Sequence, residues 1–412
     1  MQRHHHRHDH TSPPSAAAGS PARTPGLVRA TPTCLDNCQT IRDGHRMTDL
    51  VVVGAGIVGL AHAAEAARRG MTVTVVERDD RAVGASVRNF GHGCVTAQAD
   101  RALGYATAAR ARWIELGAAA GFWVGETGTV VAARADDEMA VLAELAAERG
   151  DGVALLGPAE VRARVPLAAG DLVGGAHLAA DIRVDPRAAL PALAAWLAGQ
   201  AGVAVRWATA VLGVEPGLVR TSRGDLPAPR AVVCVGHDVD RLFPAVAAGA
   251  GVRRCGLHML RVASPGGARF DPAVLTGTSL LRYPAFAGRP AAGAVRDRLA
   301  REAPELLAAD VNLMLTQRPD GDLVVGDTHH RDTTLDAFKP EVLDDLLLAE
   351  AARLLGVDRL AVHERWLGVY ASAPAEFLVA APHPGVRVVS VTSGIGMTTA
   401  LGLAPEVLDD LA

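Results

Sequence analysis

Residues 50–77 read LVVVGAGIVGLAHAAEAARRGMTVTVVE, and this stretch decides the fold. Its apolar ends, residues 50–53 and 72–76, predict two buried parallel strands, and the alanine-rich part between them predicts a helix. Three glycines come after the first strand with the spacing G-x-G-x-x-G: Gly54, Gly56 and Gly59. The first allows a tight turn, the second lets the backbone approach phosphates, and the third lets the helix pack closely on the strand.

This pattern predicts a dinucleotide-binding site. The helix points free N–H groups and the positive end of its dipole at a pyrophosphate, so Ile57 and Val58 in its first turn are expected to lie there. Glu77 closes the second strand, where a carboxylate accepts hydrogen bonds from ribose hydroxyls, and Arg78 comes directly after it. A carboxylate at this position favours FAD or NAD over NADP.

The composition is ordinary for a globular protein. The 412 residues suit two or three domains, and a hydrophobic content of 49% supports a sizeable core. A net charge of −4 gives no reason to expect nucleic acid as a partner. Five scattered cysteines, an odd number, argue against a disulfide framework. No apolar stretch qualifies as a membrane span, so we expect a cytoplasmic protein, and no ligand motif predicts a metal site.

Residues 1–46 differ in composition from the rest of the chain. They are rich in His, Pro, Ser and Ala, and they lack the apolar segment of a secretion signal. We expect a disordered extension or a misassigned start, with Met47 as the true start.

The rest of the chain alternates helical and strand-like segments. Asp185 and Pro186 supply an N-cap and a first helical residue for one of the helices. The predicted helices cover residues 102–118, 137–149, 186–198 and 340–356. The predicted strands cover residues 122–124, 128–132, 203–207, 211–214, 217–222, 231–235, 258–262, 280–283, 313–317, 323–326 and 386–391.

A second strand, glycine turn and helix closes the chain, with SGIGMTTALGLAPEVL at residues 393–408. If both ends of the chain meet on one sheet, this helix N-terminus faces the pyrimidine end of a flavin, where the reduced ring carries negative charge. An NAD dehydrogenase has one glycine turn at its cofactor, so two turns favour FAD. The predicted cofactor contacts here are Gly394, Ile395, Gly396, Met397 and Thr398.

Four segments together resemble the FAD-dependent amine and amino-acid oxidoreductases grouped with D-amino-acid, glycine and sarcosine oxidases (the DAO family). They are VVVGAGIVGL with Glu77, VDP at residues 184–186, VVCVG at 232–236, and the closing SGIGMTTALGLA. A narrower resemblance, to the branch associated with aminophosphonate breakdown, rests on GASVRNFGHG, RCGLHMLRV, LLRYPAF, LVVGDTHH and ERWLGVY. In this chain, His92 replaces that branch's methionine, and its tryptophan near Gln98 is missing.

The resemblance implies a fold and a division of the chain. We expect an α/β protein with a discontinuous, Rossmann-like FAD-binding domain and an inserted α+β substrate domain carrying a mainly antiparallel sheet. The FAD-binding domain would take residues 47–100, 152–250 and 362–412, and the substrate domain residues 101–151 and 251–361. Further predicted FAD contacts are Ser86, Asn89, Phe90, Gly91, Val211 and Gly236.

The resemblance also implies chemistry. A hydride leaves the carbon beside a neutral amine and reaches flavin N5, and the resulting imine hydrolyses. An arginine fork suits the anionic group of such a substrate. Arg88 is the favoured clamp because the resemblance puts it beside the flavin. The other predicted substrate contacts are Arg261, Arg282, Arg365, Gln98 and His258, and the predicted catalytic residues are His92, Tyr283 and Tyr370.

Several functions stay open at this point. The substrate is an aminophosphonate or another small anionic amine, and a glycine- or sarcosine-type amino-acid oxidase differs only in the anion that the clamp binds. An NAD-dependent dehydrogenase and a non-catalytic flavin-binding subunit are two further candidate functions. The electron acceptor is O₂ or another compound, because some sarcosine-type relatives use a lysine near the flavin and this chain has only Lys339.

Overall fold

The structure, a computed structural model, describes residues 48–411. The predicted extension at residues 1–46, with Met47, lies outside the described residues. Within residues 48–411, no helix combines the length and the apolar character needed to cross a membrane.

Twenty strands are present in the described part of the chain. They are β1 Leu50–Val53, β2 Val73–Val76, β3 His92–Gly93, β4 Val124–Gly125, β5 Thr129–Ala133, β6 Val153–Leu156, β7 Gly174–Leu178, β8 Ile182–Val184, β9 Val203–Arg206, β10 Val211–Glu215, β11 Leu218–Thr221, β12 Leu226–Pro227, β13 Arg230–Val233, β14 Arg253–Val262, β15 Ala273–Leu275, β16 Met314–Gln317, β17 Leu323–Gly326, β18 His330–Asp332, β19 Val362–His383 and β20 Val386–Ser393.

Twelve α-helices are described with them. They are α1 Ile57–Arg68, α2 Asp100–Ala120, α3 Asp136–Arg149, α4 Pro158–Arg164, α5 Pro186–Ala198, α6 Val239–Leu242, α7 Pro244–Ala250, α8 Pro284–Ala287, α9 Ala292–Glu302, α10 Pro304–Ala308, α11 Glu341–Leu355 and α12 Gly396–Asp409. The four predicted helices are confirmed as α2, α3, α5 and α11. The carboxylate of Asp185 caps α5 as expected, because it accepts a hydrogen bond from the Arg187 amide at 3.1 Å.

One large sheet runs through the described chain in the order β6-β7-β5-β15-β16-β17-β14-β19-β20-β13-β1-β2-β9, and β18 pairs with β14. Its β20-β13-β1-β2-β9 part is parallel, with β1 in the middle. Within its β16-β17-β14-β19-β20 part, each strand pairs antiparallel with the next. The predicted α/β class, with a Rossmann-like parallel part and a mainly antiparallel inserted part, is confirmed.

Strand β19 joins these two parts of the sheet. Its residues up to Ser372 pair with β14, and its residues from Ser372 onward pair with β20. One continuous strand of 22 residues therefore belongs to both walls of the molecule.

The division of the chain into two domains stays a prediction, but two segments pack with the other domain from the one that it assigns them to. That division assigns helix α2 to the substrate domain, but Trp113 of α2 belongs to the same apolar core as β1 and α12. It assigns strands β6 and β7 to the FAD-binding domain, but they pair with each other and with β5. The packing therefore exchanges these segments between the two predicted parts.

The strand predicted at residues 280–283 is wrong. Residues Gly277–Leu281 form a 3₁₀ helix, which begins with a capping box between Thr276 and Ser279. The Thr276 hydroxyl also donates to the Leu313 carbonyl at 2.9 Å. These side-chain hydrogen bonds stabilise a helical turn where the apolar pattern alone suggested an extended strand.

Helix α12 packs against α2 through a glycine. A Cβ on Gly402 would lie 2.1 Å from the Tyr105 carbonyl oxygen, so the helices approach closely only because this side chain is absent. The indole N–H of Trp113 in α2 donates to the Met397 carbonyl at 2.7 Å and fixes the start of α12.

We therefore expect Gly402→Ala to lower the free energy of unfolding by about 1–3 kcal/mol, as overpacking does in cores. Gly104→Ala is the matched control, because Gly104 lies on the exposed side of α2 with no atom within 4 Å of its added Cβ. That variant should gain about 0.5–1 kcal/mol from helix propensity. Urea unfolding of both variants gives the comparison, and equal stability would contradict the packing described here.

Candidate active site

The described residues enclose a large cavity of about 450 Å³. It opens where the parallel strands end, since Val53 and Val76 close β1 and β2 and Cys234 comes directly after β13. Open α/β sheets bind ligands at this edge, outside the carboxyl ends of their strands.

The first glycine turn forms one end of the cavity. Gly54 has φ +101°, and an added Cβ would lie 2.5 Å from the Cys234 carbonyl oxygen. A Cβ on Gly59 would lie 1.9 Å from the Gly54 carbonyl oxygen. These contacts hold α1 against β1, so Gly59 acts by packing and does not line the cavity, while Gly54 and Gly56 do.

The N-terminus of α1 is open to a ligand. Gly56 offers no side-chain cap, and the first turn holds no acidic residue. The Ile57 amide donates to the Ser86 hydroxyl at 2.9 Å, and Ile57, Val58 and Ser86 all line the cavity. A helix N-terminus that its own N-cap residue leaves uncapped, with a glycine approach, fits a diphosphate.

Glu77 lies where a carboxylate that binds the ribose is expected. Its Oε2 accepts from the Ala55 amide at 2.8 Å, and its Oε1 accepts from the Asp79 amide at 3.1 Å. These bonds fix the carboxylate at the wall of the cavity, and each oxygen keeps a lone pair for a hydroxyl. The neighbouring Arg78 also lines the cavity, but its guanidinium pairs with Asp238 at 2.7 Å.

The closing segment of the chain lies on the same cavity as the first glycine turn. Gly394, Gly396, Met397 and Thr398 line it, and the Thr398 hydroxyl accepts from the Cys94 amide at 3.2 Å. The structure therefore brings the two glycine turns together. The contact of α12 with the pyrimidine end of a flavin stays a prediction.

Residues 84–94 form a further wall, which includes Asn89 and Phe90. The Asn89 side chain is occupied in shaping this loop: its amide donates to the Ala85 and Ser86 carbonyls at 3.0 Å, and its oxygen accepts from the Gly91 amide at 2.7 Å. Gly91 has φ +68° and packs against Val184, outside the cavity.

His92 lies at the cavity wall but bonds into the protein. Its Nε2 lies 2.7 Å from the Thr129 hydroxyl and 3.3 Å from the Asp181 carboxylate. Cys94 joins them, with one potential ligand atom of each of His92, Cys94 and Asp181 within 4.8 Å of the others. Burial, reinforced by Asp181, raises the pKa of Cys94 well above its ordinary value. We describe this group as a buried hydrogen-bond network, in which the thiol stays protonated.

Arg282 enters the cavity from the opposite side. Its Nη2 donates to the Ser393 carbonyl at 2.7 Å and to the Tyr370 hydroxyl at 3.3 Å, and its Nε lies 3.5 Å from His329 Nε2. Burial opposes its charge, but the neighbouring Tyr370, Tyr283 and Asp327 outweigh this and keep the pKa of Arg282 raised. No carboxylate forms an ion pair with it in the part of the chain that the structure describes.

Two tyrosines lie beside this arginine on the cavity. Burial raises the pKa of Tyr370, against the opposing charge of Arg282, so its hydroxyl stays neutral. The Tyr283 hydroxyl lies 3.7 Å from the Met314 sulfur, which is a weak partner, and burial raises its pKa as well. Both are available as hydrogen-bond donors, and a catalytic role for either stays a prediction.

Four predicted substrate contacts lie away from the cavity. Gln98 is fully buried and donates to the Cys94 carbonyl at 2.8 Å. Arg261 forms ion pairs with Asp322 at 2.6 Å and Glu364 at 2.8 Å. These two residues have structural partners, so we do not assign them to substrate.

His258 and Arg365 share the carboxylate of Asp344 on α11, at 2.7 and 2.9 Å. Successive side chains of a strand point to opposite faces, and the neighbours of His258 on β14, Leu257 and Met259, are the ones that line the cavity. The motif therefore lies on a strand that lines the cavity, but His258 points to the opposite face of that strand.

Some of the remaining predicted residues line the cavity and others do not. Ile395 lies between two cavity residues without lining the cavity itself. Arg88 lies exposed at the cavity, with its guanidinium 3.4 Å from the Leu367 carbonyl. Val211 and Gly236 line the cavity together with His92, Arg282, Tyr283 and Tyr370.

Asn312, Asp327 and His329 are among the polar cavity residues that were not predicted as site residues. Asp327 comes directly after β17, and Asn312 lies opposite it, with two backbone hydrogen bonds of 2.9 Å between them. A signal was present, since the polar residues of GDTHH come at the end of an apolar strand. Nothing in the sequence shows that this strand end meets residues near 282 and 370.

A glycine turn, an uncapped helix and a fixed carboxylate at the ends of parallel strands define a dinucleotide-binding protein of the Rossmann class. More specifically, the chain belongs to the DAO family of FAD-dependent oxidoreductases, whose sequence profile matches residues 49–409. It is an FAD-dependent oxidoreductase, and its cofactor is therefore FAD and not NAD. The glycine cradle, the open N-terminus of α1 and Glu77 fit this cofactor.

Comparison with solved structures gives the same fold. L-proline dehydrogenase from P. horikoshii has a TM-score of 0.71 at 19% identity, over 88% of this chain and 92% of that one. Glycine oxidase from Geobacillus kaustophilus has a TM-score of 0.69 at 20% identity, over 88% and 94%. Iminodiacetate oxidase from Chelativorans sp. BNC1 has a TM-score of 0.67 at 19% identity, over 88% and 96%. Comparison with curated proteins finds no match.

We expect Glu77→Gln to weaken FAD binding about tenfold to hundredfold. The amide keeps the shape of the side chain, but it loses charge-assisted hydrogen bonds worth about 1.5–3 kcal/mol each. Quenching of FAD fluorescence on addition to the apoprotein measures the change. Asp80→Asn is the control, because Asp80 is exposed and pairs with Arg81 outside the cavity. Equal affinities of the two variants would remove Glu77 from the ribose site.

Proposed function

We propose that this protein oxidises the carbon–nitrogen bond of a small amine or amino acid that carries an anionic group. Bound FAD supplies the hydride acceptor, and the protein supplies binding, orientation and proton handling. Arg282 carries the proposal: a half-buried guanidinium on the cavity has no carboxylate partner among residues 48–411. A half-buried charge without a counter-ion is costly, so the site suits an anionic ligand.

Three structural neighbours support this substrate class. Their names include proline, glycine and iminodiacetate, each of which combines an amine with a carboxylate. At 19–20% identity they share the fold, and the extension of their chemistry to this chain is part of the proposal.

Four cavity residues have a place in the proposed reaction. The Arg282 fork binds the anionic group, held in place by its bonds to the Ser393 carbonyl and the Tyr370 hydroxyl. The neutral hydroxyls of Tyr283 and Tyr370 add donors to the same group. His92 contributes indirectly, because its Nε2 is held by Thr129 and Asp181.

An aminophosphonate is the specific substrate that we favour. The motifs GASVRNFGHG and LLRYPAF, which carry the narrower resemblance, contain Arg88 and Arg282, and both residues lie on the cavity. A phosphonate offers three oxygens, so it suits two arginines better than a carboxylate does. A glycine- or sarcosine-type oxidase is the alternative, and it requires the Arg282 contact alone.

The electron acceptor stays open within the proposal. Lys339, the one lysine of the chain, lies exposed in the loop before α11, away from the cavity. A lysine beside the flavin therefore does not promote reaction with O₂ here. Either another cation takes that part, or a compound other than O₂ is the acceptor.

Anaerobic mixing of the holoenzyme with amines tests the reaction and the substrate together. We expect 2-aminoethylphosphonate or its N-methyl form to bleach the flavin absorption near ~450 nm faster than glycine, sarcosine or proline. Faster bleaching by glycine or sarcosine would favour the amino-acid oxidase alternative. If no amine bleaches the flavin, a non-catalytic flavin-binding subunit is the candidate function that remains.

The clamp has its own test. We expect Arg282→Gln to raise the half-saturating concentration of the best substrate about tenfold to hundredfold, because charge-assisted hydrogen bonds are lost. Arg88→Gln should have a comparable effect on a phosphonate and little effect on a carboxylate. Arg289→Gln is the control, since Arg289 pairs with Glu148 away from the cavity. Unchanged saturation in Arg282→Gln with normal FAD content would refute the clamp.

A further inference from the structure

Asp327 is a buried carboxyl on the cavity with an oxygen that nothing in the described chain satisfies. Its exposed fraction is 5%, and its Oδ1 has no hydrogen-bond partner among residues 48–411. It forms no ion pair with an arginine there, and the nearest basic nitrogen to its Oδ2 is His329 Nε2 at 3.9 Å.

His329 is not the partner of this carboxyl. Its Nδ1 lies 2.8 Å from the Asp310 carbonyl, so that nitrogen carries the proton and Nε2 is an acceptor that faces Arg282. Burial, together with the charge of Arg282, lowers the pKa of His329 to about 3. A neutral imidazole with its acceptor toward Arg282 offers Asp327 neither charge nor a proton.

A second unsatisfied acceptor lies beside the first. The Oδ1 of Asn312 has no partner in the described residues, and its amide nitrogen lies 3.6 Å from the Met314 sulfur. Paired backbone hydrogen bonds of 2.9 Å hold Asn312 and Asp327 next to each other. Buried acceptors are nearly always satisfied, so two neighbouring ones on a ligand cavity call for a donor group from the ligand.

We propose that Asp327 binds the amino group of the substrate and takes up its proton, with Asn312 as the second acceptor. This inference rests on the proposed function, in which Arg282 binds the anionic end of the same molecule. His329 lies between the two charged groups, 3.5 Å from Arg282 and 3.9 Å from Asp327. The site therefore selects a compact zwitterion.

The proton transfer balances without a further reactant. One N–H bond of the substrate ammonium breaks, and its proton forms an O–H bond with the Asp327 carboxylate. The amine keeps the electron pair of that bond as its lone pair, and no electrons leave the substrate. The neutral amine that results is the form from which the adjacent carbon can lose a hydride in the proposed reaction.

The surroundings of Asp327 suit a group that exchanges protons near neutrality. Burial raises the pKa of Asp327 to about 7, although the Arg282 charge and the Asn312 amide oppose the rise. The titratable groups that face Asp327 from the elements around it are Arg282, Asp310, His329, Tyr283 and Cys255. Arg282 is the permanent cation among these groups, and Asp327 is the carboxyl among them that lines the cavity.

The test compares wild-type holoenzyme with Asp327→Asn. We use the best amine substrate and the same molecule without its amino group, ethylphosphonate for 2-aminoethylphosphonate or acetate for glycine. In the variant, kcat/KM for the amine should fall at least a hundredfold, and the inhibition constant of the deaminated molecule should change less than threefold. The wild-type profile of kcat/KM should rise with pH through about 7, as Asp327 loses its proton, and the variant should lack this rise.

Asp332→Asn is the matched control, because Asp332 is exposed on β18. Retention of the rise near pH 7 in Asp327→Asn, or an equal loss for the amine and the deaminated molecule, would overturn the inference. If Asp327→Asn does not yield holoenzyme, Asn312→Leu replaces it. In that variant, kcat/KM for the amine must fall at least fivefold, and the inhibition constant of the deaminated molecule must stay unchanged. Any other result also overturns the inference.

The two proposals fail in different ways. If no amine bleaches the flavin of the wild type, the proposed function is lost. If amines bleach the flavin and Asp327→Asn keeps the wild-type pH profile, the function stands and the role of Asp327 is lost.

Discussion

The close contact between α1 and β1 is the constraint on which the cofactor site depends. The Gly59 backbone lies so near the Gly54 carbonyl that no side chain fits between them, and Gly54 in turn lies against the Cys234 carbonyl. Three backbone segments from β1, α1 and β13 therefore meet without side chains. This meeting sets the direction of α1, and with it the place where the helix offers free amides to the FAD diphosphate.

The opposite wall of the cavity depends on charge, and much less on close packing. Arg282 comes from one segment and Asp327 and His329 come from another, and their contacts of 3.5–3.9 Å are loose. Among the described residues, Asp327 keeps one oxygen without a partner, and Arg282 has no carboxylate partner. Such a wall costs stability when empty and gains it when a complementary ligand supplies the missing charge and donors. In the proposed function it is therefore the part of the molecule that carries substrate selectivity.

The cofactor half could be predicted from sequence because its signals are local. Gly54, Gly59 and Glu77 belong to one strand–helix–strand unit, and the closing turn at Gly394 repeats the same logic. The substrate half could be predicted only in part. Arg282 belongs to a recognisable motif. The sequence does not show which face of β14 meets the cavity, and so whether Leu257 or His258 lines it. The role proposed for Asp327 depends on residues about 45 positions away on either side. The 3₁₀ helix at Gly277–Leu281 was missed because side-chain hydrogen bonds outweighed an apolar pattern.

Strand β19 exchanges partners at Ser372, from β14 on the substrate side to β20 on the cofactor side. The two walls of the cavity consequently share one piece of backbone, and neither can swing away as a rigid lobe without breaking sheet hydrogen bonds. Ligand entry and product escape must then rely on small loop and side-chain displacements around a stiff frame. For the proposed reaction, we expect this frame to hold the flavin and the substrate site at a nearly constant separation.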